Sequence, residues 1–355
     1  MRRSLVGIAL AAVGTTAIAQ ENTSVLYGVV DSYVGYGKSG SNVSAVRVGD
    51  GGILASQYGF RGRDGLGGGY TALYDLQGGF DPSTGQAALG LNLGAAQAGF
   101  MRQAYVGMEA PWGTITLGRQ YTPIFLQTLK VDPFGNNTVF SPVILWAQTD
   151  AQTGLLPRAA RADNAVLYAS PGKFPVQGKF MYAPGESQIN SKSSGNYVSG
   201  SLAYANGPWH VGFGAQQRKS GTGAAPVASP TTSKSYVLGA HYQGKQWWVG
   251  GSWGKQSTDV AGVPDATLLN LSVQYSFGTS RAIAGAVWRN VQNSARDQVA
   301  VTLGYDYDLS KRTTLYGRLL LLNNKDVSAV SLGGVTTQNG GDDGRLVGFG
   351  ITHRF

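Results

Sequence analysis

The stretch QVAVTLGYDYDL, residues 298–309, alternates between two kinds of side chain over its whole length. Its odd positions carry valine, leucine and tyrosine, whereas its even positions carry small or polar residues. Side chains with a period of two point to opposite faces of a β-strand. The same alternation reaches the end of the chain, in the row Val347, Phe349, Ile351, His353 and Phe355. The sequence therefore predicts strands with one apolar face, the last of which ends at Phe355.

Composition places these strands in an exported protein. The chain has 355 residues, 53 glycines and no cysteine, so disulfides and thiolate metal sites are excluded. Residues 1–19 combine Arg2 and Arg3, an apolar run and an Ala-Ile-Ala site, as a cleaved signal peptide does. The predicted mature chain, residues 20–355, retains 26 of the 28 basic residues against 19 acidic ones. The longest purely aliphatic run, residues 319–322, is far too short for a membrane-spanning helix.

The whole chain divides into sixteen alternating segments of roughly 9 to 13 residues, near the length that a tilted strand needs to cross a bilayer. The second segment starts near residue 52, after a long connection over residues 38–50. Short and long connections take turns, and aromatic residues such as Tyr27, Tyr33, Trp247 and Trp248 lie near strand ends, as in an interfacial belt. We predict an all-β fold, a 16-stranded antiparallel transmembrane β-barrel with short periplasmic turns and long extracellular loops. Residues 120–160 form the longest stretch without strand alternation.

Six stretches spread over the mature chain are distinctive in content and order. They are SVLYGVVD (24–31), YGFRGRDGLGGGYTALYDLQGGF (58–80), RQAYVGMEAPWGTITLGRQY (102–121), DNAVLYASP (163–171), LGYDYDLSKRTTLYG (303–317) and GITHRF (350–355). Together they resemble the trimeric general porins of the β-proteobacterial and neisserial type. The resemblance implies a homotrimer in the Gram-negative outer membrane, and a third loop (residues 120–160) folded into the pore as its constriction. It also implies that the barrel-assembly machinery reads the C-terminal strand through Phe349, Ile351 and Phe355.

Charged side chains that face the pore determine the selectivity of a channel. If Tyr58 and Phe60 face outward, strand parity turns Gln57, Arg61 and Arg63 inward; the same argument on their own strands turns Arg161 and Arg318 inward. The resemblance adds Arg102, which lines the pore in the family. The loop offers Lys130, Asp132, Asp150 and Arg158. We expect a basic wall opposite a weakly acidic loop, which favours anions. Gln57 stands where family members often have a further arginine, and this weakens the basic row.

These features predict a passive diffusion channel for small hydrophilic solutes and ions, with a modest anion preference. Its expected partners are further copies of the chain in a homotrimer, outer-membrane lipid and lipopolysaccharide. Aromatic residues of the loop, Phe125, Phe134, Phe140 and Trp146, leave open a channel biased toward substrates such as organic carboxylates. A surface adhesin or a barrel enzyme is a further alternative. Since the three histidines, His210, His241 and His353, match no catalytic pattern, we expect no enzyme, cofactor or metal site, and the dispersed basic residues predict no nucleic-acid partner.

Overall fold

The wall of the molecule is one continuous antiparallel sheet. The computed structural model describes residues 22–40, 44–88, 99–146, 158–186, 191–222, 225–333 and 335–355. Its strands are β1 (Thr23–Ser39), β2 (Ala45–Asp50), β3 (Gln57–Gly67), β4 (Tyr70–Gly79), β5 (Gln103–Ala110), β6 (Gly113–Tyr121), β7 (Arg161–Ala169), β8 (Val176–Ala183), β9 (Tyr197–Asn206), β10 (Trp209–Lys219), β11 (Thr232–Gln243), β12 (Trp247–Thr258), β13 (Ala266–Phe277), β14 (Ser280–Val291), β15 (Gln298–Asp308), β16 (Thr313–Asn324) and β17 (Gly344–Arg354).

The described residues between β6 and β7 form two short helices. They are α1 (Pro123–Lys130) and a 3₁₀ helix (Pro142–Trp146). No helix in the described ranges is long and apolar enough to cross a membrane. The predicted signal peptide, residues 1–19, lies outside the described residues.

The sheet closes on itself through its first and last strands. Strand β17 pairs antiparallel with β1, from Val29 opposite Arg354 to Ser39 opposite Gly344. Strand β2 pairs with Ser32–Gly37 of β1, and β3 pairs with Thr23–Val29 of the same strand. Together β2 and β3 form the two halves of one wall strand. The result is the predicted closed 16-stranded antiparallel barrel, in which the wall strands satisfy one another's backbone groups.

Strand β15 shows how the alternating sequence builds this wall. Its outward row, Leu303, Tyr305 and Tyr307, is 44–49% exposed, whereas the inward residues Ala300 and Thr302 are fully buried. A strand with one apolar face can turn that face to lipid only when the other row points into the barrel. The two-residue period of the sequence thus becomes the outer and inner surfaces of the wall.

Aromatic rings near strand ends divide between the outer belt and the lumen. Trp247 is exposed on the outer face, as the belt prediction requires. Tyr27, Tyr33 and Trp248 lie on inward rows instead, and their partners there are Asp75, Phe140 and His241 respectively. The belt prediction is wrong for these three, because proximity to a strand end does not determine which face a ring occupies.

Residues 51–56, between β2 and β3, wrap around one buried carboxylate. The Asp31 side chain is fully buried and accepts hydrogen bonds from the backbone amides of Gly52, Ile53 and Leu54 at 2.9–3.1 Å. The Tyr316 hydroxyl donates a further bond to it at 2.5 Å. A carboxylate that accepts several such bonds holds the backbone around it in one conformation. We call residues 51–56 the Asp31 bulge.

The Asp31 bulge changes the predicted boundary of the second wall strand. The alternation predicts that this strand begins near residue 52, but Ala45–Asp50 already pairs with β1 as β2. All six bulge residues stand opposite only Val30 and Asp31 of β1. The two-residue alternation does not predict this boundary, because it assumes that each residue of one strand pairs with one residue of its neighbour.

Loop 3 is the connection over residues 122–160, and its described parts, residues 122–146 and 158–160, lie inside the barrel against its wall. Helix α1 packs on β9, β10 and β11, and the 3₁₀ helix packs on β14 and β15. Three wall side chains donate hydrogen bonds to loop carbonyls: Asn270 to Val131 at 2.8 Å, Gln256 to Trp146 at 3.0 Å and Thr302 to Phe140 at 2.6 Å. Loop 3 begins at residue 122 rather than 120, since Gln120 and Tyr121 still belong to β6.

Candidate pore constriction

Two arginines converge on one tyrosine where loop 3 leaves the wall. The Tyr121 hydroxyl accepts hydrogen bonds from Arg161 Nη2 at 2.9 Å and from Arg102 Nη2 at 3.3 Å. The Arg161 guanidinium also lies 4.6 Å from the centre of the Tyr121 ring, whose face stacks on Phe125. Among the ion pairs between described residues, none involves Arg161. Arg102 is 5% exposed and Arg161 is partly buried, but the contacts described for both lead to the neutral Tyr121 hydroxyl, whereas Arg318 is paired with a carboxylate. We call Arg102, Arg161 and Tyr121 the arginine pair site.

Arg61 lies on the inward row of β3, where it is exposed. Its guanidinium is 4.8 Å from the centre of the Tyr27 ring, and the Tyr27 hydroxyl donates to Asp75 at 2.6 Å. Asp75 also accepts a bond from Gln103 at 3.4 Å. The Asp75 carboxylate on the neighbouring strand therefore reduces the positive potential around Arg61, although the two side chains do not form a direct ion pair.

Arg63, two residues further along the same row, has a direct acidic partner. Its Nη2 is 2.7 Å from Glu109 Oε2, and both side chains are about half exposed. An exposed pair of this kind contributes little to stability and is screened by salt. Arg63 consequently adds less net charge to the lumen than Arg61.

Gln57 is the first residue of β3 and follows the Asp31 bulge directly. It lies on the same inward row as Arg61 and is half-buried. Its Oε1 atom is buried, and no hydrogen-bond partner for it occurs in the described part of the chain. The row therefore begins with a neutral side chain.

Arg318 points inward from β16 but lies beneath loop 3. Only 4% of the residue is exposed, and its Nη1 is 2.6 Å from Asp306 Oδ1. The ring of Phe134 from loop 3 covers its guanidinium at 5.7 Å. The sequence prediction that Arg318 presents its charge to the pore does not agree with this burial, because the loop and Asp306 occupy the space in front of it.

Asp132 and Arg158 hold loop 3 together instead of lining the passage. Asp132 is 3% exposed and accepts bonds from the Asn136 amide and the Ser141 hydroxyl, both at 2.6 Å. Arg158 is 2% exposed, donates to Asn136 at 3.2 Å and covers the Phe125 ring. Burial raises the pKa of Asp132 and lowers the pKa of Arg158 to about 10. The expected pore-facing role does not fit either residue.

Two further charged residues were predicted on loop 3, Lys130 and Asp150, and the structure describes only the first. Lys130, in the last turn of α1, is exposed. Asp150 lies outside the described residues. The described part of loop 3 therefore presents a basic side chain to the lumen while its carboxylate at residue 132 is buried.

The C-terminal row of β17 faces outward to its end. Phe349, Ile351 and Phe355 are all exposed on the outer face. Phe355 exchanges two backbone hydrogen bonds with Gly28 of β1, at 3.0 and 3.1 Å. A Cβ atom on Gly28 would overlap the Phe355 ring, so the glycine permits the ring to lie across the seam. These residues thus form part of the contact that closes the barrel.

Sequence reasoning did not identify Tyr121, Asp75 or Lys179 as residues of the lumen. The sequence pattern places Tyr121 in the loop, although it ends β6. Asp75 and Lys179 lie on the inward rows of β4 and β8, which parity alone could have revealed. The roles of these residues in the lumen depend on contacts with other strands, and the alternation within one strand does not predict such contacts.

Comparisons with known proteins agree with this geometry over almost the whole chain. A family model described as Gram-negative porin matches residues 7–327. Outer membrane porin protein 32 of Delftia acidovorans is 31% identical over 374 residues, with 100% of both chains covered. An outer membrane porin protein of Bordetella pertussis is 27% identical over 372 residues, covering 89% of this chain and 93% of the relative.

A solved structure extends the similarity to three dimensions. The anion-selective porin from Comamonas acidovorans superimposes with a TM-score of 0.81 at 28% sequence identity. The match covers 94% of this chain and 100% of that one. The wall, with its strand order, therefore has a close counterpart of known structure.

Proposed function

Because the chain belongs to the Gram-negative porin family, we propose that the arginine pair site makes its channel prefer anions. The protein is a passive channel of the outer membrane, through which small hydrophilic solutes and ions diffuse down their gradients. The observation that carries the anion preference is the convergence of Arg102 and Arg161 on the neutral Tyr121 hydroxyl. A positive potential at a narrow point of a pore raises the local anion concentration and lowers that of cations.

The charges around the arginine pair site also favour anions. Arg61 adds an exposed cation on the adjacent wall, and Lys130 adds one on loop 3. Asp132 is buried and hydrogen-bonded within the loop, so its charge is shielded from a passing ion. The constriction that we propose is thus a basic wall facing a loop whose described residues offer little opposing negative charge.

Further properties of the protein follow the family and are part of the proposal. The mature chain would begin after a cleaved signal peptide, assemble as a homotrimer and contact lipopolysaccharide at its outer rim. The outward row of Phe349, Ile351 and Phe355 would serve as the signal for barrel assembly. Transport would involve no covalent chemistry, and therefore no catalytic residue or cofactor.

A bias toward organic carboxylates is the second candidate function, and one contact favours it. The Phe125 and Tyr121 rings stack at 5.1 Å beside the two arginines, so an aromatic face and two cations occur together. The other loop aromatics, Phe134, Phe140 and Trp146, are at most 3% exposed and pack the loop against the wall. Any aromatic guidance would therefore be confined to Tyr121 and Phe125. A higher permeability for benzoate than for acetate would favour this candidate.

The proposal is tested by the reversal potential of the purified, refolded protein in a planar bilayer under a salt gradient. We expect conductance steps and a reversal potential of the sign that anion movement produces. Steps that close in groups of three would support the trimer. A cation-directed potential would overturn the anion preference but not the channel, whereas an inserted barrel without conductance would contradict both.

Replacing Gln57 by arginine should strengthen the anion preference. The new side chain would extend the inward row from Arg61 toward the Asp31 bulge, at a position with no described carboxylate partner. A single added charge within several ångströms of the ion path changes the anion-to-cation permeability ratio by roughly two- to fourfold in an aqueous pore. The reversal potential of Q57R measures this change, and Q57M is the matched neutral control. An unchanged ratio in Q57R would mean that this row does not face the ion path.

A further inference from the structure

One level of the inner wall alternates between glycine and larger side chains. Gly214 of β10, Val237 of β11, Gly254 of β12 and Leu268 of β13 are successive register partners on the inward rows of their strands. Val237 is fully buried and Leu268 is 3% exposed. Each glycine therefore leaves a recess beside a larger side chain, and we call these the Gly214 recess and the Gly254 recess.

The ring of Trp146 from loop 3 fills the Gly254 recess. A Cβ atom on Gly254 would overlap the Cζ2 and Cη2 atoms of that ring. Trp146 is 2% exposed and belongs to the same buried apolar cluster as Val237 and Leu268. Gln256, the next inward residue of β12, donates a hydrogen bond to the Trp146 carbonyl oxygen at 3.0 Å. The end of the 3₁₀ helix is thus held by a ring in the recess and by a backbone contact beside it.

Ile124, in the first turn of α1, occupies the Gly214 recess. A Cβ atom on Gly214 would lie 3.1 Å from Ile124 Cα and 3.3 Å from Ile124 Cγ1, which is tighter than ordinary contact. Ile124 is fully buried, whereas the next residue, Phe125, stacks on Tyr121 of the arginine pair site at 5.1 Å. The first turn of α1 therefore lies between the wall at Gly214 and the arginine pair site.

We propose that Gly214 and Gly254 determine the width of the passage, because their missing side chains let loop 3 lie deep against the wall. Both are positioning residues that act through Ile124 and Trp146. A closely packed interior has no free space for an added methyl group, so something must move. Ladders on both sides hold strands β10 and β12 in place. We therefore expect loop 3 to move, away from this wall and into the passage. The inference concerns pore width, and it holds whether or not the channel prefers anions.

The experiment measures the single-channel conductance of G254A and the swelling of liposomes that contain it in arabinose or raffinose. We expect the conductance to fall roughly twofold, and raffinose uptake to fall more than arabinose uptake, because a narrower pore excludes the larger solute first. Both sugars are neutral, so the lumen charges do not affect this comparison. G214A should change both quantities in the same direction but less, since a Cβ atom there meets a milder contact. An unchanged conductance in G254A overturns the proposal, and so does a higher one, which would mean that loop 3 had left the wall.

Two further variants separate pore width from general damage to the barrel. The shorter ring of W146F makes room for the added methyl group, so G254A/W146F should recover the conductance of W146F alone. G200A adds the same group on the outward row of β9, where the nearest described atom would be the Lys179 carbonyl oxygen at 3.6 Å. Its conductance should equal that of the unsubstituted protein. A failed recovery, or an equal loss in G200A, contradicts the proposal. A channel without anion preference overturns the proposed function, but it leaves the comparison of conductances unaffected.

Discussion

Neutralising both arginines of the pair site, in R102Q/R161Q, is expected to lower the anion-to-cation permeability ratio roughly tenfold. The two guanidinium groups share the Tyr121 hydroxyl and therefore act on an ion at nearly the same point. Each charge attracts an anion and repels a cation, so its loss affects both terms of the ratio. The reversal potential in a planar bilayer measures the change. The effect should shrink at high salt, because screening shortens the range of the remaining charges.

The matched control removes two charges from the outer surface. Lys234 and Arg345 are exposed on outward rows of β11 and β17, so K234Q/R345Q alters net charge equally without touching the lumen. Its permeability ratio should stay within experimental error of the unsubstituted protein. Equal losses in the two double variants would show that net charge, rather than the arginine pair site, sets the preference. R318Q is unsuitable as a control, since its buried ion pair with Asp306 contributes to the fold.

Substituting Asp31 by alanine should destabilise the barrel by at least about 3 kcal/mol. The change leaves the buried amide of Gly52 and the part-buried amides of Ile53 and Leu54 without their acceptor. It also removes the partner of the Tyr316 hydroxyl. Each buried donor that loses its partner costs about 1–3 kcal/mol. Urea unfolding of the refolded protein in detergent, followed by tryptophan fluorescence, measures the loss.

Three further variants test whether the loss of stability in D31A comes from the hydrogen bonds of the Asp31 bulge rather than from the loss of a charge. D31N keeps one carbonyl acceptor and should be intermediate in stability. Y316F removes one of the four hydrogen bonds and should cost about 1–2 kcal/mol. D64A, at an exposed position near the end of β3, should leave the unfolding midpoint unchanged. If D31A unfolds together with D64A, the carboxylate does not hold the Asp31 bulge.

The sequence predicted the barrel better than the constriction, and the difference has a physical cause. Lipid contact imposes one rule on every outward residue, so strand after strand repeats the same two-residue pattern. The lumen imposes no such rule, because an inward side chain can meet water, loop 3 or a neighbouring strand. Arg318 and Arg61 are both inward by parity, yet Phe134 covers the first while the second is exposed. Parity contains no information about what fills the barrel.

The Asp31 bulge and the burial of the loop 3 charges could not be predicted for a second reason. Both depend on hydrogen bonds between residues that are separated in the sequence. Asp31 is separated from Tyr316 by most of the sequence, and only their contact explains why residues 51–56 leave the ladder. Asp132 and Arg158 look like pore charges in a polar loop, but the folded loop buries both and gives Asp132 four close donors.

The sequence by itself determined the strand number, the outward rows, the end of the last strand at Phe355 and the resemblance that identified the family. These properties arise from local periodicity and from motifs whose residues are adjacent in the chain. Only the tertiary structure decided which inward charges reach the pore, where the second wall strand breaks, and how Arg102 and Arg161 meet at Tyr121. Those outcomes depend on burial and on hydrogen bonds between separate strands, which form only after the barrel has closed around loop 3.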